Sequence, residues 1–180
     1  MAASNAERNG GQILVEALHR NGVDTIYCVP GESYLPVLDA LHDRPDIQTI
    51  VTRHEGAASN MADAYGKLTG RPGICFVTRG PGATHASNGV HTAREDSTPM
   101  ILFIGQVDSA FMGREAFQEI DYCQMFGSVA MWVTQVDRLE HEIDALNADE
   151  SLNRDIGELA RLLRVLSGMY DQAARAAASL

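Results

Sequence analysis

The chain has 180 residues, 45% hydrophobic and 21% charged, a balance that suits one soluble domain with a buried core. Its net charge of -10 at pH 7 excludes a nucleic-acid surface, because phosphate binding needs clustered Lys and Arg. Residues 1–10 are polar and are expected to form a disordered tail without the apolar stretch of a signal peptide. No segment approaches the about 20 apolar residues of a membrane span.

In chain order, apolar positions at helical spacing predict a helix over 11–21, ended by Asn21-Gly22. A short apolar run at 24–29 stops at Pro30-Gly31 and predicts a buried strand. A second helix over 34–42 and a second strand over 47–52 follow. The pattern then repeats: an alanine-rich helix over 55–68 closed by Gly70, a strand over 73–78, a small-residue helix over 82–94, and a strand over 99–105. A short helix at 120–126 and a fifth strand at 129–136 complete it. Strands alternating with helices predict an α/β fold, a doubly wound and mostly parallel sheet flanked by helices, here over 11–136.

From residue 137 glycine almost vanishes, and Ile156, Leu159, Leu163, Leu166, Tyr170, Ala173 and Ala177 follow at three- and four-residue steps. Residues 137–180 therefore read as a helical tail with a short helix at 139–146 and a longer amphipathic one. The three cysteines, Cys28, Cys75 and Cys123, are far apart without CxxC spacing, and read as buried reduced thiols of a cytoplasmic protein.

Ligands of an open parallel sheet bind beyond the carboxyl ends of its strands. That edge carries Pro30-Gly31-Glu32-Ser33, Arg53-His54-Glu55-Gly56, Arg79-Gly80-Pro81-Gly82-Ala83-Thr84 and Gly105-Gln106-Val107-Asp108. Their glycines let backbone approach a ligand closely. Singly, none is specific. Glu55 at a strand–helix junction equally fits a plain first-turn carboxylate, and Gly80-Pro81-Gly82 equally fits a tight turn into a helix.

In order they are specific. Val29-Pro30-Gly31-Glu32, Arg53-His54-Glu55-Gly56-Ala57-Ala58, Met61-Ala62-Asp63-Ala64-Tyr65-Gly66, Gly70-Arg71-Pro72-Gly73, Gly80-Pro81-Gly82-Ala83-Thr84, Pro99 with Gly105-Gln106, and Phe117-Gln118-Glu119 stand in sequence. The chain resembles the pyrimidine-binding domain of thiamin-diphosphate enzymes, in particular the acetolactate synthase branch. The resemblance runs from about Gly10 to about Val136. It implies that Glu55 is the catalytic carboxylate, buried and hydrogen-bonded to N1′ of the cofactor's aminopyrimidine. It implies that Pro30, Gly31, Thr78, Gly80 and Gly82 line the cofactor, and that Glu32, Phe117 and Gln118 lie on the substrate side. Gln118 also fits a helix-entry residue.

The family holds Mg²⁺ and the diphosphate through a Gly-Asp-Gly motif and a downstream Asn pair in a separate domain. This chain has no Gly-Asp dipeptide, no Asn-Asn pair and no evident Mg²⁺ ligands of its own. The resemblance thus implies half a site, completed by a diphosphate-binding domain or subunit in a homodimer or tetramer acting on a small 2-oxo acid such as pyruvate. Two other readings remain open. One is a non-catalytic remnant serving as an oligomerisation or interaction module. The other is a separate subunit of a decarboxylase of the sulfopyruvate or phosphonopyruvate type.

Overall fold

The computed structural model describes residues 9–136. They fall into two units, which are taken separately: Val23–Gln135, and the flanking residues that include 9–22. Residues 1–8 and the expected helical tail at 137–180 lie outside the described residues.

In the flanking unit, helix α1 spans Gly10–Arg20. Asn9 caps it reciprocally with Gln12: the Asn9 side chain accepts from the Gln12 N–H at 2.9 Å, and the Gln12 side chain accepts from the Asn9 N–H at 3.1 Å. Ile13, Val15, Ala17 and Leu18 are its buried positions.

The larger unit is an α/β layer structure. Its elements are β1 (Thr25–Cys28), α2 (Leu35–His42, preceded by a 3-10 turn at Glu32–Tyr34), β2 (Gln48–Val51), α3 (Glu55–Thr69), β3 (Gly73–Val77), α4 (Pro81–Glu95), β4 (Met100–Ile104) and α5 (Tyr122–Phe126). The four strands are parallel in the order β2-β1-β3-β4. The chain runs outward from β1 to β2, then returns to β3 on the other side of β1. The crevice between the ends of β1 and β3 is therefore the topological switch point, where such sheets bind ligands.

The register sorts side chains between faces. Tyr27 pairs with Cys75, and Cys75 with Leu102. These point into the cluster made with Ala58 and Ala62 of α3, Ala83 and Ala86 of α4, and Tyr122 and Phe126 of α5. Cys28, Phe76 and Phe103 alternate to the other face. There Phe76 stacks on Phe103 at 4.7 Å and meets Tyr34 at 5.8 Å. Burying a side chain such as Phe76 contributes roughly 2 kcal/mol. β3 is buried at every position because it is covered on both faces.

Small residues let the helices come close. A Cβ on Gly89 of α4 would stand 2.4 Å from Ser59 Oγ of α3, and a Cβ on Gly66 of α3 would stand 2.3 Å from the Pro99 carbonyl oxygen. Gly70, at φ 67°, stops α3 in the left-handed conformation.

Two expectations change. Residues 129–136 form no strand. The Val129 and Ala130 N–H groups donate to the Phe126 carbonyl at 2.9 Å, closing α5, and Val129, Ala130 and Val133 pack half-buried on the core cluster. The apolar run is explained by packing rather than by ladder pairing. Cys28 and Cys75 are buried, but Cys123 is exposed on α5. Burial pushes the Cys75 thiol up to about 12, so it is inert as a thiolate. Among the described residues no helix is long and apolar enough to cross a membrane.

Candidate functional site

Glu55 opens α3 directly after β2. His54 is the cap, with extended backbone, and its Nδ1 accepts from the Gly56 N–H at 3.0 Å. This turn sets the Glu55 side chain inward, where it is only 12% exposed. Its two oxygens differ. Oε2 lies 3.0 Å from His85 Nδ1 of α4. Oε1 has no hydrogen-bond partner among the described residues, and it faces Gly82, where a Cβ would come within 3.5 Å of it.

Thr78, just past β3, lies between Gly82 and the loop after β1. Its Cγ2 would lie 2.9 Å from a Cβ on Gly82, and its Cβ 2.5 Å from one on Gly31. Its Oγ1 shares a 2.8 Å hydrogen bond with Ser33. Thr78 thus packs against both Gly31 and Gly82, and Glu55 Oε1 reaches the same face of Gly82. Pro30 is exposed and forms the step from β1 to Gly31.

Gly80 is required by its conformation. It has φ 58° and ψ -115°, and a Cβ there would meet Gln118 Cβ at 2.7 Å. The Tyr122 hydroxyl accepts the buried Gly80 N–H at 2.8 Å. Gln118 itself has φ 60°, unusual for a non-glycine residue. Gln118 thus packs beside Gly80.

Glu32 and Phe117 meet on Arg79. The Arg79 Nη2 donates to Glu32 Oε1 at 2.7 Å, its Nε donates to the Phe117 carbonyl at 2.9 Å, and its guanidinium lies 5.7 Å from the Phe117 ring centroid. The Arg79 side chain is 14% exposed but the Glu32 side chain is 61% exposed, so water screens this pair from the Glu32 side. These residues line an open cleft of about 340 Å³ with Ser33, Gln106, Val107, Asp108, Phe111 and Ala116. Glu55 does not line this cleft; Thr78 connects the two, reaching Ser33 by Oγ1 and Gly82 by Cγ2.

The loop that carries Phe117 and Gln118 is held by Glu119. Hydrogen bonds from the Gly113 and Ala116 N–H groups hold its carboxyl below the ordinary value of 4.5. A depressed carboxylate contributes order above its ordinary value and loses it as pH falls through the folded value. The amide proton shifts of Gly113 and Ala116 should therefore titrate together in acid, with a midpoint below 4.5, and Glu119→Gln should abolish that step. Separate titration of the two amides, or a step that survives the substitution, would contradict this.

Sequence reasoning did not single out His85, Arg79, Ser33 or Tyr122. Arg79 and Ser33 stand inside the glycine loops placed at the sheet edge, and that position was their only available signal.

The family model described as thiamine pyrophosphate enzyme, N-terminal TPP binding domain, matches residues 8–125. The chain is 47% identical over 116 residues to the acetolactate synthase large subunit of Parasynechococcus marenigrum (strain WH8102), covering 63% of this chain and 19% of that protein. It is 39% identical over 131 residues to the mitochondrial acetolactate synthase catalytic subunit of Saccharomyces cerevisiae, covering 73% of this chain and 19% of that protein. It is 44% identical over 119 residues to the acetolactate synthase large subunit of Haemophilus influenzae, covering 66% and 20%. The chain thus spans about a fifth of the length of these relatives. These matches show that the chain belongs to the thiamin pyrophosphate enzyme family, as its N-terminal TPP-binding domain, with acetolactate synthase-like relatives.

Proposed function

We infer that this chain supplies the pyrimidine-side half of the active site of an acetolactate synthase-like enzyme, a transferase or lyase acting on a 2-oxo acid such as pyruvate. The observation that carries this is Glu55: a shielded carboxylate with one oxygen unpartnered among the described residues, facing Gly82. That donor set fits an aminopyrimidine, which needs one carboxyl group at N1′ and small residues beside a flat ring. When bound, thiamin diphosphate supplies the electron sink for breaking and making bonds next to the 2-oxo group. Glu55 holds a proton at N1′. Gly31, Thr78, Gly80 and Gly82 give the ring room, with Pro30 shaping the entry. Glu32, Phe117 and Gln118 border the substrate side.

The diphosphate and its Mg²⁺ need hard oxygen ligands, which a second, diphosphate-binding domain or subunit would bring. The working enzyme in this reading is a cytoplasmic homodimer or tetramer, with residues 11–136 as the cofactor domain and 137–180 as an added tail.

Isothermal titration tests the half-site. The isolated chain should bind thiamin diphosphate with Mg²⁺ more weakly than about 1 mM, and a diphosphate-binding partner should restore binding. Tight binding by the chain alone would overturn it.

A further inference from the structure

His85 and His54 flank Glu55 on its open side. The two imidazoles stack with centroids 4.7 Å apart and planes 23° apart. With Glu55 they bring three ligand atoms within 4.8 Å of one another, the composition of a His₂Glu metal set. The ring geometry decides against such a use. A metal sits near the plane of each imidazole it binds, at about 2.1 Å from the nitrogen. Two nearly parallel rings this far apart do not point at one ion. His54 Nδ1 is also occupied by the Gly56 N–H.

The arrangement suits a different task. His85 Nδ1 meets Glu55 Oε2 at 3.0 Å, and the stacked His54 ring limits how His85 can turn. A carboxylate fixed by one oxygen cannot rotate freely, so its other oxygen stays directed at Gly82. His54 is itself held as the cap of α3. The chain of restraint runs from the α3 N-terminus through two rings to the one carboxylate that matters.

We propose that His85 is a positioning residue: its Nδ1–H holds Glu55 Oε2, with His54 stacked behind it, so that Glu55 Oε1 is presented to the cofactor's pyrimidine. This rests on the reading of Glu55 as the pyrimidine-side acid. His85 is half exposed and touches no reacting atom in this scheme.

Imidazole nitrogen NMR on the full chain at neutral pH tests the contact without any cofactor. His85 should be the Nδ1–H tautomer, and Glu55→Ala should return it to the Nε2–H form preferred by an unrestrained side chain. An Nε2–H His85 in the unaltered chain, or a tautomer that Glu55→Ala leaves unmoved, would overturn the proposal. In the assembly with a diphosphate-binding domain, His85→Ala should slow proton exchange at C2 of thiamin diphosphate about tenfold, as expected for losing a hydrogen bond to a charged group. His85→Asn, whose amide N–H₂ stands near the place of Nδ1, should restore it. Full-rate exchange in His85→Ala alongside lost exchange in Glu55→Gln would sink the positioning role while leaving the reading of Glu55 intact. Full-rate exchange in Glu55→Gln would remove that reading itself.

Discussion

Glu55→Gln, in the assembly with a diphosphate-binding domain, is expected to lower turnover of a 2-oxo acid by about 10²–10⁴-fold with little change in KM. The range is that of losing one positioned acid–base group. The substitution keeps the size of the side chain and its oxygen acceptor toward His85, so the capped start of α3 should be unchanged. What it removes is the group that can share a proton with the aminopyrimidine. Because Glu55 is only 12% exposed, water is a poor substitute for it. Steady-state kinetics with unchanged circular dichroism would separate this loss from misfolding. A rise in KM at constant kcat would instead indicate a residue that only binds.

The second large effect is on stability. Gly73 opens β3 and pairs with Met100. A Cβ there would stand 1.9 Å from the Ala62 carbonyl oxygen and 2.6 Å from its carbon. Those atoms are the backbone of α3 and cannot rotate away as a side chain would. Gly73→Val must therefore push α3 off β3, and α3 also packs on β1 and α4. We expect a loss of about 3 kcal/mol or more, at the upper end for overpacking. Urea unfolding checks it through the midpoint. Gly10→Ala, with nothing within 4 Å, is the control and should leave the midpoint in place. Equal midpoints for Gly73→Val and the unaltered chain would contradict the close approach of α3 to β3.

The order of elements through β4 was legible because each strand is a short apolar run ended by Gly, Pro or a charged residue, and each helix repeats at its own period. The run at 129–136 misled for the same reason. Val129, Ala130 and Val133 are apolar because they lie on the core cluster, and periodicity does not distinguish that from a strand. Glu55, Gly31 and Gly82 were legible within an ordered motif set and Thr78 through the resemblance it carries, and the fold brings the four close together. The supports of that group were not legible. His85 reaches Glu55 across 30 residues, Tyr122 reaches Gly80 across 42, and Ser33 reaches Thr78 across 45. Such pairs depend on how helices and loops cross in space, and no local pattern encodes them.

The most direct test of the central claim is hydrogen–deuterium exchange at C2 of thiamin diphosphate in the assembled enzyme, with Glu55 intact and as Glu55→Gln. The intact assembly should exchange fast, and Glu55→Gln should exchange slower by a factor of about 10²–10⁴. Equal exchange rates in the two would show that Glu55 does not activate the cofactor.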